Sequence, residues 1–101
     1  MKIEFFGTEN FSQGQKNDLN EFTKSYSSKI KRIVGEIKSI EVRVKIYHRE
    51  GKAHKYSINI SVTPKTRKFV SDSEGWDLGI TVKEGFEKII SQMNKEFKTS
   101  N

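Results

Sequence analysis

Between Ile40 and Thr63 apolar and polar residues alternate on both sides of a polar loop that contains Gly51. Ile40, Val42, Val44 and Ile46 share one face of the first run, and Tyr56, Ile58, Ile60 and Val62 share the matching face of the second. A period of two marks half-buried strands, and two such runs around a short loop predict an antiparallel hairpin. Two strands alone are marginal in water, so this apolar face must be covered by something else. The opposite face carries Arg43, Lys45, Tyr47, Lys55, Ser57 and Asn59, and reads as polar and mostly basic.

The covering elements are visible on either side. Lys2 to Phe6 is short and apolar, ends at Gly7, and predicts a first strand. Ser12 and Gln15 have the spacing of a capping box, in which each side chain meets the other residue's backbone N–H. From there Leu19, Phe22, Tyr26, Ile30, Ile33 and Ile37 recur at steps of three and four, one stripe of an amphipathic helix. Gly35 is its expected stop, with Ile37 in the exit turn. Thr63 to Thr66 reads as a turn because Pro64 has no N–H for a ladder. Arg67 to Ser71 is expected as a further strand with Phe69 or Val70 inward, followed by a loop from Asp72 to Gly75. Asp77 is a natural N-cap. Leu78, Val82, Phe86, Ile89, Ile90, Met93 and Phe97 then mark a second amphipathic helix. Gly79 or Gly85 would let that helix approach the sheet closely, and Trp76 is expected to anchor its start.

The order is β-α-β-β-β-α, an α+β fold. Its economical form is a four-stranded, mainly antiparallel sheet with both helices on one face, similar to a double-stranded-RNA-binding domain. Residues 1–97 form one domain and 98–101 a polar tail. The other sheet face is open to water, to a ligand, or to a second copy of the chain.

Composition changes this picture in three places. At 33% the hydrophobic fraction is low for a globular chain, but the periodicity argues against disorder. There is no cysteine, which excludes disulfides and thiolate metal sites and is compatible with a reducing cytoplasm. No apolar run is long enough to span a membrane, and the N-terminus lacks a signal-peptide core. Charge adds more. From Lys29 to Lys68 there are 12 Lys or Arg against 3 Asp or Glu, a balance of +9, while the remainder of the chain balances at −3. Such a segment points to a polyanion partner, or else to a solvated, lysine-rich surface. Lys29, Lys31 and Arg32 also suit the negative end of their helix. Lys95 and Lys98 fall outside this segment.

With these elements in hand the chain resembles the ribosome hibernation-promoting factors, also called ribosome-associated translation inhibitors or sigma-54 modulation proteins. The resemblance runs from about Ile3 to Phe97. It is carried by the short first strand ending in Gly7, the Leu19/Phe22/Tyr26 helix, Val42-Arg-Val-Lys45 leading to Lys52-Ala-His54-Lys-Tyr-Ser-Ile-Asn-Ile60, and Asp77-Leu78 opening the last helix. Two stretches depart from the family pattern: Gly79 to Lys83, where an aromatic-Ala-Ala-Ile-Asp run is usual, and the loop from Ser71 to Trp76. The resemblance implies a non-catalytic protein, without cofactor, metal or small-molecule substrate. It would bind the small ribosomal subunit in the channel of mRNA and tRNA and block translation in resting or stressed cells. The implied rRNA contacts are Lys29, Arg32, Arg43, Lys45, Tyr47, Arg49, Lys52, His54, Lys55, Arg67 and Lys68. Lysine and arginine would neutralise phosphates, while Tyr47 and His54 would stack on bases or meet sugar and phosphate.

Other readings have distinct signatures. A double-stranded-RNA-binding module would place basic residues at the start of its last helix, where this chain has Trp76-Asp77-Leu78. A nuclease would need clustered metal ligands, and only His48, Glu50 and His54 around the hairpin loop offer any. A protein-interaction adaptor would bind its partner with little dependence on salt.

Overall fold

The structure is a computed structural model that describes residues 1–48 and 53–97. Its elements are β1 (Lys2–Phe6), α1 (Gln13–Val34), β2 (Ile37–His48), β3 (His54–Pro64), β4 (Phe69–Gly75) and α2 (Leu78–Phe97). They follow the expected order. The strands form one sheet in the order β1-β2-β3-β4. β1 runs parallel to β2, and the other two pairings are antiparallel. The parallel pair is joined through α1, because two parallel neighbours need a crossover.

Local chemistry sets the helix ends. Ser12 Oγ accepts from the Gln15 N–H at 3.2 Å, and Gln15 Oε1 accepts from the Ser12 N–H at 3.0 Å. α1 stops at Gly35, whose φ of 81° is open to glycine and whose N–H donates to Lys31 O at 2.8 Å. Asp77 caps α2, its carboxylate accepting from the Ile80 N–H at 2.8 Å.

Both helices cover one sheet face. Ile40 and Val42 of β2, and Ile58, Ile60 and Val62 of β3, are fully buried beneath Leu19 and Ile30 of α1 and Val82, Phe86, Ile89 and Met93 of α2. Burying side chains of this size is worth about 1.5–3 kcal/mol each, which makes this face the main stabilising surface. Tyr26 and Phe86 stack across the two helices, with centroids 5.1 Å apart and planes 5° from parallel.

Three boundaries differ from those expected. Ile37 is the buried first residue of β2, paired with Pro64, and not part of a helix exit turn. Pro64 is the last residue of β3, where a missing N–H costs the ladder nothing further. The segment Asp72–Gly75 is strand and not loop: β4 runs from Phe69 to Gly75, with Phe69, Ser71 and Ser73 inward. Its inner face is small and polar because α2 lies close on it. Ser71 Oγ donates to Gly85 O at 2.8 Å, and a Cβ on Gly85 would fall 2.7 Å from Ile60 Cδ1. β4 is also an edge strand. Lys88 Nζ donates to Asp72 O at 2.6 Å, and Gln92 Nε2 donates to Val70 O at 2.9 Å, so two β4 carbonyls are held by α2 side chains.

Candidate nucleic-acid interface

The ladder register sets the hairpin side of the open face. Arg43 lies opposite Asn59, Lys45 opposite Ser57, and Tyr47 opposite Lys55. β1 pairing ends at Arg43 and β4 pairing ends at Tyr56, so the pairs Tyr47–Lys55 and His48–His54 project beyond both neighbours. Behind this two-stranded tip is a shallow depression lined by Arg43, Lys45, Tyr47, Ser57, Asn59 and Asp72. Tyr47 stands 46% exposed beside it. His54 is exposed and has the parity of Tyr56, which places it on the helix-side face of the tip. Arg49 and Lys52, expected in the same group, lie outside the described residues, as does Glu50.

The whole open face is not mostly basic. β1 and β4 contribute what the hairpin alone does not show. Lys2, Arg43, Lys45 and Lys55 are matched by Glu4, Glu41, Asp72 and Glu74 on outward positions of the four strands. Arg43 lies 3.0 Å from Glu41 and 4.3 Å over the Phe6 ring, and Lys55 lies 3.5 Å from Glu74. Exposed pairs of this kind contribute about 0–1 kcal/mol, so they organise the face more than they stabilise it.

The remaining sequence-predicted residues are elsewhere. Arg67 and Lys68 follow the opposite end of β3, which is 11 residues long, and at about 3.3 Å per residue they stand about 35 Å from the hairpin tip. Arg67 is 2.6 Å from Glu96 and 5.1 Å over the Phe69 ring. Lys29 lies 4.8 Å over the Tyr26 ring on the solvent side of α1, and Arg32 is in the last turn of that helix.

The pairing of Ile37 with Pro64 brings the α1 exit, the β3–β4 turn and the end of α2 to one pole. Lys31, Arg32, Lys38, Lys65, Arg67, Lys68 and Lys95 are exposed there, against Glu36 and Glu96. The eleven residues drawn from the sequence omit Lys31, Lys38, Lys65 and Lys95. Lys95 in particular was expected outside the basic cluster. The signal that finds it is topological: α2 must run back along β4, so its last turn meets the β3–β4 turn.

Among the described residues no three His, Asp or Glu side chains group to hold a metal ion, and no helix is long and apolar enough to cross a membrane. Burial foremost, then the 2.9 Å hydrogen bond from its hydroxyl to Glu87 and that carboxylate's charge, push the Tyr26 phenol above its ordinary value.

Two solved structures share this architecture. The structure is similar to that of a ribosomal subunit interface protein from Coxiella burnetii, with a TM-score of 0.68, 20% identity, and coverage of 95% of this chain and 97% of that one. It is also similar to the N-terminal domain of Thermus thermophilus Protein Y, with a TM-score of 0.62, 9% identity, and coverage of 93% and 94%. At these identities the likeness establishes a shared fold, which is the fold the family resemblance implied. No protein-family model and no curated protein matches the chain.

Proposed function

We propose that the protein is a cytoplasmic, ribosome-associated translation inhibitor that binds small-subunit rRNA through its basic surface and occludes the channel of mRNA and tRNA. It acts by occupancy, without a chemical step or a cofactor. The observation that carries this reading is the basic pole, seven lysines and arginines against two carboxylates, on a fold shared with a ribosomal subunit interface protein. The hairpin tip, with Arg43, Lys45, Tyr47 and Lys55, is the second contact. Together the two regions hold the candidate rRNA contacts among the described residues other than Lys29, which lies beside the first on α1. The open face, whose charges balance, is also a surface on which two copies could pair without mutual repulsion.

The test is co-sedimentation with purified small subunits over a salt series, using three double charge reversals. Lys65→Glu with Lys68→Glu tests the pole, Arg43→Glu with Lys45→Glu tests the hairpin side, and Lys16→Glu with Lys24→Glu is the matched control on α1. Each phosphate contact contributes about 0.7–0.9 to the salt slope, so either of the first two pairs should lower it by about 1.5. The control should leave it near the wild-type value. Equal losses from all three would reduce the effect to bulk charge. Failure of the wild-type protein to co-sediment at low salt or to slow cell-free translation would refute the reading. Binding of duplex RNA as tight as binding of subunits would instead favour a double-stranded-RNA-binding module.

A further inference from the structure

Trp76, the one tryptophan of the chain, is 54% exposed, and Ile80, four residues later, is 59% exposed. They bracket the cap residue Asp77. A side chain just ahead of a cap ordinarily packs on an apolar residue at the fourth helical position. That position is Thr81, which is buried and donates its hydroxyl to Asp77 O at 2.6 Å. Thr81 is therefore no apolar partner for Trp76, and Ile80 sits on the outward side of the same turn.

The surroundings are acidic. Glu74, Asp77 and Glu84 are exposed around these two side chains. Of the two nearby lysines, Lys55 is 3.5 Å from Glu74, and Lys83 lies 4.8 Å over the Phe22 ring on the α1 side. Asp77 already fills the N-terminus of α2. With Lys55 engaged by Glu74, such a surface offers an RNA backbone little, whereas a segment that is both basic and apolar complements it in charge and in hydrophobicity. The patch also stands at the far end of β4 from the basic pole, 7 residues or about 23 Å along the strand.

We propose that Trp76 and Ile80 form a docking site for a basic, apolar protein segment, presented by the small subunit while the basic pole rests on rRNA. This rests on the ribosome association proposed above. The experiment places a benzophenone amino acid at position 76 or, as reference, at position 65, in the full chain bound to purified small subunits. Position 76 should cross-link to a ribosomal protein through a lysine- or arginine-rich peptide, and position 65 to rRNA. An rRNA adduct, an acidic peptide or a second copy of the chain at position 76 overturns the docking site and leaves the ribosome reading standing. So does no adduct at position 76 when position 65 gives one. No adduct at either position, with no co-sedimentation, overturns both. The double variant Trp76→Ala with Ile80→Ala should weaken binding to whole subunits by about tenfold, as loss of an apolar anchor does. Its affinity for protein-free small-subunit rRNA and its thermal midpoint should stay unchanged. An equal loss on naked rRNA, or no loss on subunits, would refute the proposal.

Discussion

Replacing Gly7 and Gly35 by alanine, one at a time, separates two costs that usually come together. Both glycines have positive φ, 82° and 81°. A side chain in that region is strained by about 1–3 kcal/mol wherever it sits. At Gly35 that is the whole cost, because no heavy atom lies within 4 Å of an added Cβ. At Gly7 the Cβ would run into the Val44 carbonyl oxygen. Val44 belongs to β2, a central strand, and pairs with Ile58 of β3, so its backbone cannot retreat without disturbing the ladder. The chain after β1 must move instead, which loosens the Phe6–Arg43 end of the parallel pair. Overpacking of this kind adds about 1–3 kcal/mol. The expected costs are therefore about 1–3 kcal/mol for Gly35→Ala and roughly 2–6 kcal/mol for Gly7→Ala. Against a total stability of about 5–15 kcal/mol, the second can approach global unfolding. Urea titration followed by circular dichroism measures both, with an unchanged slope showing that stability and not denatured-state compactness has moved. In a thermal scan each kcal/mol should appear as a shift of about 4–8 °C. If Gly7→Ala costs no more than Gly35→Ala, the close approach to Val44 is not a constraint and the reasoning fails.

Two further outcomes are expected. Ile58→Ala and Phe86→Ala, at positions with no exposure, should each cost about 2–5 kcal/mol in the same titration, and a cost under 1 kcal/mol would contradict a single shared core. Tyr26 titrates higher in the folded chain than in the unfolded one, so its contribution is complete below the unfolded value near pH 10 and is lost as pH rises through the folded value. Tyr26→Phe should therefore flatten the fall in stability above about pH 10, and an unchanged slope would show that the phenol is not held protonated.

Most of the fold is legible in the sequence because most of it alternates with one of two periods. The hairpin face from Ile40 to Val62 and the stripes of Leu19 to Ile30 and Val82 to Met93 are buried or half-buried where the periods place them. β4 loses its period because its inner positions are Ser71, Ser73 and Gly75. Those are small for the sake of α2, which no local pattern reveals. Ile37 continues the helical stripe of α1 in phase, so periodicity alone cannot show that the backbone has already turned at Gly35. Trp76 reads as an anchor until Thr81 is seen to occupy the position that would receive it. The functional surface is harder still. The run of charge from Lys29 to Lys68 is one segment of chain but two regions of space, because β2 and β3 carry their ends about 35 Å apart. The carboxylates that neutralise the open face arrive from β1 and β4, at the two ends of the sequence.

The hold of Lys88 and Gln92 on the carbonyls of β4 bears on how the molecule behaves at high concentration. An edge strand is a template on which another extended segment can nucleate. A newcomer at β4 must first evict two side-chain donors, each worth about 0.5–1.5 kcal/mol, from Asp72 O and Val70 O. The helix thereby acts as a selvedge: it finishes the β4 border of the sheet against strand-by-strand extension from that edge, while the open face stays free for a ligand.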